Sequence, residues 1–97
     1  MKLSKQYIID ILQVNMETLK NKYPIESVGL FGSFSRDEQN NLSDIDLIVS
    51  FTKPVGMELI DLSFELEDLL KNKVDLVSTK GIKTKYLEAI KQDIIYA

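Results

Sequence analysis

The run Asp44-Ile45-Asp46-Leu47-Ile48-Val49-Ser50-Phe51 constrains this chain more than any other stretch. Its alternation puts Ile45, Leu47 and Val49 on one face of a strand and Asp46, Ile48 and Ser50 on the other. Beyond Asp46 both faces are apolar, which requires a central strand covered on each side. The flanking segments supply the cover. Lys5 to Lys22 repeats Ile8, Ile11, Leu12, Met16 and Leu19 at the helical period, behind Ser4 as N-cap. Tyr23-Pro24 ends that helix, because proline disfavours helical geometry in the residue before it. Ile25 to Phe31 reads as a buried strand stopped by Gly32-Ser33, with Ser33 capping a short helical turn through Glu38.

A loop over Gln39-Asn40-Asn41-Leu42-Ser43 leads into the strand, and Thr52-Lys53-Pro54-Val55-Gly56 breaks it. Met57 to Lys71 returns to helical spacing, and Val74 to Ser78 is a third strand. Lys83 to Lys91 is a last helix, and Ile94-Ile95-Tyr96 is a short edge strand or a docked tail. The order αβ(α)βαβα describes a small α/β (α+β) sandwich, expected as one domain over residues 1–97.

Composition narrows the chemistry. With 44% hydrophobic and 28% charged residues, the chain can bury a core and is not a disordered tail. Its longest apolar run falls far short of the ~18 residues that cross a bilayer. The stretch Met1-Lys2-Leu3-Ser4-Lys5-Gln6 lacks the apolar centre of a signal peptide, so the cytoplasm is the expected location and no membrane is involved. Cysteine and histidine are both absent, which removes disulfides, thiolate metal sites and the commonest general base. Carboxylates, hydroxyls, lysines, Arg36 and backbone amides remain. A net charge of −3 disfavours broad capture of nucleic acid, although bound cations could reverse the local charge around a polyphosphate.

Three features carry the chemistry: Gly32-Ser33 after a strand, Asp44-Ile45-Asp46 opening one, and Asp75 within a third. Each has an ordinary reading, as a turn, a solvated cap or half of a salt bridge. Together they are less ordinary. Residues i and i+2 of a strand share a face with Cα atoms ~6.5 Å apart, so Asp44 and Asp46 project together. Paired anions repel unless a cation lies between them, and hard oxygen donors suit Mg²⁺. Asp75 could add a third carboxylate from a neighbouring strand. Acids are depleted in buried strands, so two acid-bearing core strands need a reason. Gly32 leaves room for a phosphate near the backbone, and Ser33 offers a hydroxyl and an unpaired amide. Phosphatases with an aspartyl nucleophile also use Asp-x-Asp, but there the apolar strand precedes the pair, whereas here Leu47-Ile48-Val49 follows it.

Gly32-Ser33-Phe34-Ser35-Arg36 through Ser43-Asp44-Ile45-Asp46-Leu47-Ile48-Val49 resembles the signature of the polymerase-beta-type nucleotidyltransferases. Arg36, Ser43, Val74-Asp75-Leu76-Val77 and the Ile95-Tyr96 ending resemble the minimal nucleotidyltransferase branch, so the likeness spans nearly the whole chain. One departure is Asp37, where many relatives carry Gly; it bears on the loop's path and not on the metal site.

The resemblance implies a bare catalytic palm, with a mixed, largely antiparallel sheet and helices packed mainly on one face. It implies ATP as substrate, two Mg²⁺ ions, and transfer of AMP to a hydroxyl. By position, Gly32 and Ser33 would hold the β/γ phosphates, and Asp44 and Asp46 would ligate both metals. Asp75 would ligate the catalytic metal and help deprotonate the acceptor. Arg36 would steady a phosphate or the Asp-x-Asp loop, or else form a surface ion pair. The branch further implies a helical HEPN ribonuclease toxin, encoded beside this chain, as partner in a hetero-oligomer and as acceptor through a tyrosine. The competing reading is a non-catalytic antitoxin that occludes its partner; the intact carboxylates and Gly-Ser favour activity. A small-molecule nucleotidyltransferase would want an added substrate domain.

Overall fold

The computed structural model describes residues 3–97; Met1 and Lys2, the start of the N-terminal stretch read above, lie outside the described residues. Helix α1 (Lys5–Lys22) opens at Ser4, whose side chain accepts from the Tyr7 amide at 3.2 Å. It closes at Tyr23, which is extended as its position before Pro24 requires. Strands β1 (Ile25–Phe31) and β2 (Ile45–Phe51) pair antiparallel, with a bulge between Ile25 and Ser27. Helix α2 (Glu58–Leu70) ends at Lys71 in the left-handed conformation and leads into β3 (Val74–Ser78). Helix α3 (Thr84–Ile90) runs through a 3-10 turn at Lys91–Asp93 into β4 (Ile95–Tyr96). The C-terminal segment read as edge strand or docked tail is thus a strand, paired antiparallel with Gly29 and Leu30.

The sheet order is β3-β2-β1-β4, with β2 and β3 parallel and the other neighbours antiparallel. β2 is central, as its two apolar faces demanded. β3 is not: it is an edge strand, and Asp75 on it is exposed. Of the two strands read as acid-bearing core strands, only β2 lies inside the sheet, and Asp75 needs no special account of burial.

Most apolar burial is on one face. Val28, Leu30, Ile45, Leu47, Val49 and Val74 meet Ile8, Leu12 and Leu19 of α1 and Leu62, Leu66 and Leu70 of α2. Truncating one of these leucines to alanine costs about 2–5 kcal/mol, a large share of the stability of a small domain. Glu65 locks the two helices at one end, accepting from Lys22 Nζ at 2.9 Å and from the Tyr23 hydroxyl at 3.0 Å. Burial and this acid neighbour push the Tyr23 phenol up to about 12. The other face holds a smaller cluster, in which Phe31, Ile48 and Ile90 pack with Val77, Ile82, Leu87 and Ile94. α3 covers that patch and leaves the Asp46 end of the sheet open.

Candidate active site

Register brings the acids together. Asp46 on β2 lies opposite Asp75 on β3, so their Cα atoms are about 4.8 Å apart across the ladder. Phe31 lies opposite Asp46 on the other side, and the chain then turns at Gly32 with φ of +75°. A Cβ at Gly32 would run into the Asp46 carboxylate, so only glycine lets the turn lie this close. Asp44 sits one residue before β2 and is exposed; Asp46 is half-buried.

Burial first, then repulsion from Asp75 and from Asp44, raises the Asp46 carboxyl above the ordinary aspartate range, and Arg36 partly offsets this. Asp44 and Asp75 therefore both act electrostatically on Asp46. That is the condition a divalent cation would relieve. Among the described residues no three acidic side chains stand close enough to cage an ion by themselves. Small hard cations usually take one or two carboxylates and complete their shell with water and substrate phosphate, so an open donor set of this kind fits.

The turn after β1 is one helical turn closed in the manner of a helix C-terminus. Arg36 N–H donates to the Gly32 carbonyl, Asp37 N–H to Phe34, and Glu38 N–H to Ser33, the last at 2.8 Å. Asp37 takes the left-handed position with φ of +56°. The departure noted in the sequence thus falls on a left-handed position, a conformation that glycine adopts freely and aspartate tolerates. The expected cap at Ser33 is not made by its side chain; instead Ser35 Oγ donates back to the Gly32 carbonyl at 2.9 Å. Ser33 is partly exposed beside Asp46's end of the sheet, and its amide makes no backbone hydrogen bond among the described residues.

Arg36 forms the ion pair that was one of its two readings. Its guanidinium donates to Glu38 at 2.9 Å and to Asp93 at 3.5 Å, tying the turn to the 3-10 segment before β4. Asp93 and Glu38 are the positioning residues that sequence reasoning missed, and no periodicity or motif marked them. Glu67 is another: its Oε2 accepts from the Val74 amide at 3.0 Å and fixes the start of β3, immediately before Asp75. A polar cavity of about 190 Å³ lies behind the site under the loop to Asp44, lined by Phe34, Gln39, Asn40, Asn41, Ser43 and Asn72. Its walls lack the three acids.

Residues 9–96 match the family of polymerase beta nucleotidyltransferases. The chain belongs to that family. Protein adenylyltransferase MntA of Thermococcus cleftensis is 30% identical to it over 95 residues, covering 97% of this chain and 96% of that protein. Among solved structures, a toxin–antitoxin complex with AMP-PNP superposes with a TM-score of 0.71 at 25% identity, covering 97% of this chain and 72% of that one. The fold also matches a chain of the complex between a tri-AMPylated Shewanella oneidensis HEPN toxin and MNT antitoxin, with a TM-score of 0.61 at 22% identity over 95% of this chain and 66% of that one. This nucleotidyltransferase fold accounts for the mixed sheet, with two helices on one face and the acids on the other.

Proposed function

We propose that this chain transfers AMP from ATP to a tyrosine hydroxyl of a helical HEPN toxin encoded beside it, and so acts as its antitoxin. The observation that carries the reading is the meeting of Asp46, Asp75 and the Gly32-Ser33 turn at the uncovered end of the sheet. The adenylyltransferase relative and the toxin–antitoxin neighbour with AMP-PNP support it. In this reading Gly32 and Ser33 receive the β/γ phosphates, since the turn offers an unpaired amide and no Cβ at Gly32. Arg36, held by Glu38 and Asp93, steadies the turn and lies near enough to Asp46 to favour its charged form. Asp44, Asp46 and Asp75 would hold two Mg²⁺ ions. Bound there, the ions would make the acceptor oxygen more acidic and neutralise the departing pyrophosphate. The tyrosine oxygen forms a bond to the α-phosphorus, the bond to the bridging oxygen breaks, and the phenolic proton passes to Asp75. Asp75 suits this role because it is exposed on an edge strand, where an acceptor from another protein can reach it.

No described helix is long and apolar enough to cross a membrane; the cytoplasm, where ATP and a nascent toxin both occur, is the proposed location. Intact-mass spectrometry of the pair co-expressed tests the reaction. The partner should gain increments of about one AMP residue, and Asp44→Asn with Asp46→Asn should abolish them. A neutralised partner with no added mass would instead establish occlusion by a non-catalytic antitoxin.

A further inference from the structure

Helix α2 carries a second apolar line that none of the described residues covers. Leu62, Leu66 and Leu70 point into the core, so residues about half a turn away face outward. Met57, at the N-cap, Ile60 and Phe64 occupy that outward line and are 62%, 46% and 63% exposed. Scattered exposed apolar residues are ordinary, and Val14 and Leu42 are of that kind. Three at spacings of i, i+3 and i+7 along one helix form a contiguous stripe, the pattern by which helices dock on one another.

The charges on α2 decide what can cover the stripe. Glu58, Asp61, Glu65, Glu67 and Asp68 all lie within Glu58–Leu70, a segment with no lysine or arginine. Glu65 is engaged with Lys22 and Tyr23, and Glu67 with the Val74 amide. Asp61 and Asp68 stand exposed along one border of the stripe, with Lys71 at 3.7 Å from Asp68. A second copy packed here about a twofold axis would set acid against acid, which disfavours self-pairing.

We infer that this face of α2 docks a helix of another protein whose own apolar stripe is bordered by lysine or arginine. The inference rests on the proposed function only in taking the partner to be helical. Leu62 and Leu66 pack with Leu47 and Val49, whereas Asp46 shares the opposite face with Ile48, so docking leaves the carboxylates open. α2 also leads directly into β3, whose exposed edge carries Asp75. A partner held on α2 can therefore present a side chain round that edge.

The test uses an 18-residue amphipathic helical peptide of leucine and lysine, and its leucine–glutamate counterpart, titrated into the isotope-labelled chain. The lysine peptide should shift amide resonances of residues 57–71 alone, and the glutamate peptide should shift none. Ile60→Ser with Phe64→Ser should weaken binding at least tenfold while the dispersed amide spectrum is kept. Asp61→Lys with Asp68→Lys should reverse the preference between peptides. Perturbations elsewhere, or unchanged affinity in the serine variant, would overturn the inference. So would a wild-type dimer in sedimentation that the serine variant dissociates, since the occupant would then be a second copy. No readout involves nucleotide, so a failure of AMP transfer leaves the result standing.

Discussion

Burial and two neighbouring carboxylates work against the charge on Asp46. Its folded pKa lies above the unfolded value, so this group costs the fold nothing below about pH 4, where both states are protonated. Stability is then lost as pH rises through the folded value. Asp46→Asn should therefore raise the melting temperature of the metal-free protein at neutral pH, and the gain should shrink to nothing on acidification to about pH 4. The gain is at most about 1 kcal/mol, because the half-buried carboxylate keeps solvent contact. Thermal melts of both proteins across pH check this; a variant less stable at pH 7 would make Asp46 a net stabilising group. Asp75 is different in kind, being exposed on an edge strand. Asp75→Asn should keep nucleotide affinity and cut transfer by roughly 10²–10⁴-fold, as loss of a positioned base does. Titration calorimetry beside a transfer assay separates the two effects.

The elements show where sequence was sufficient. α1, β1, β2, α2 and β3 follow from periodicity and from Ser4, Pro24 and Gly32, because each of those signals acts on its own few residues. Asp46 and Gly32 were recognisable for the same reason: one motif spans both. What periodicity could not reveal is neighbourhood. Val74-Asp75-Leu76-Val77 reads the same as a central or an edge strand, and only pairing makes β3 an edge. The bond from Arg36 to Asp93 joins residues that no local pattern connects. The turn over Ser33 to Asp37 sits between these cases. Its left-handed residue is Asp37, one of the few non-glycine types that tolerate positive φ. Asp37→Gly should thus be neutral to within about 0.5 kcal/mol, although it gives up the exposed ion pair with Lys5. Asp37→Val should cost about 1–2 kcal/mol, since a β-branched side chain clashes with the backbone there. Urea denaturation of the three proteins measures the order; equal loss in both variants would place the contribution of Asp37 in its charge.

At the scale of the molecule, one sheet separates two surfaces. The carboxylates open on the face of Ile48, and the α2 stripe lies beyond the opposite face, with the Leu47, Leu62 and Leu66 core between them. Sites so separated, with no shared partners, should behave additively. Nucleotide binding converts this into a measurement, because a ligand that binds only the folded state stabilises it by mass action. At a hundred times its dissociation constant, Mg·ATP adds about 2.7 kcal/mol. In a domain of this size each kcal/mol moves the melting temperature by about 4–8 °C, so a rise on the order of 10–20 °C is expected. Mg²⁺ alone should give a small rise by relieving the repulsion at Asp46, and ATP without Mg²⁺ should give little. Asp44→Asn with Asp46→Asn should abolish the Mg·ATP shift, whereas Ile60→Ser with Phe64→Ser should leave it intact. Differential scanning calorimetry of the wild type and the two variants, with and without Mg·ATP, decides the matter. A full shift in the asparagine variant would mean that the nucleotide is held away from the acids. A shift lost in the serine variant would mean that the two faces of the sheet are coupled through the core.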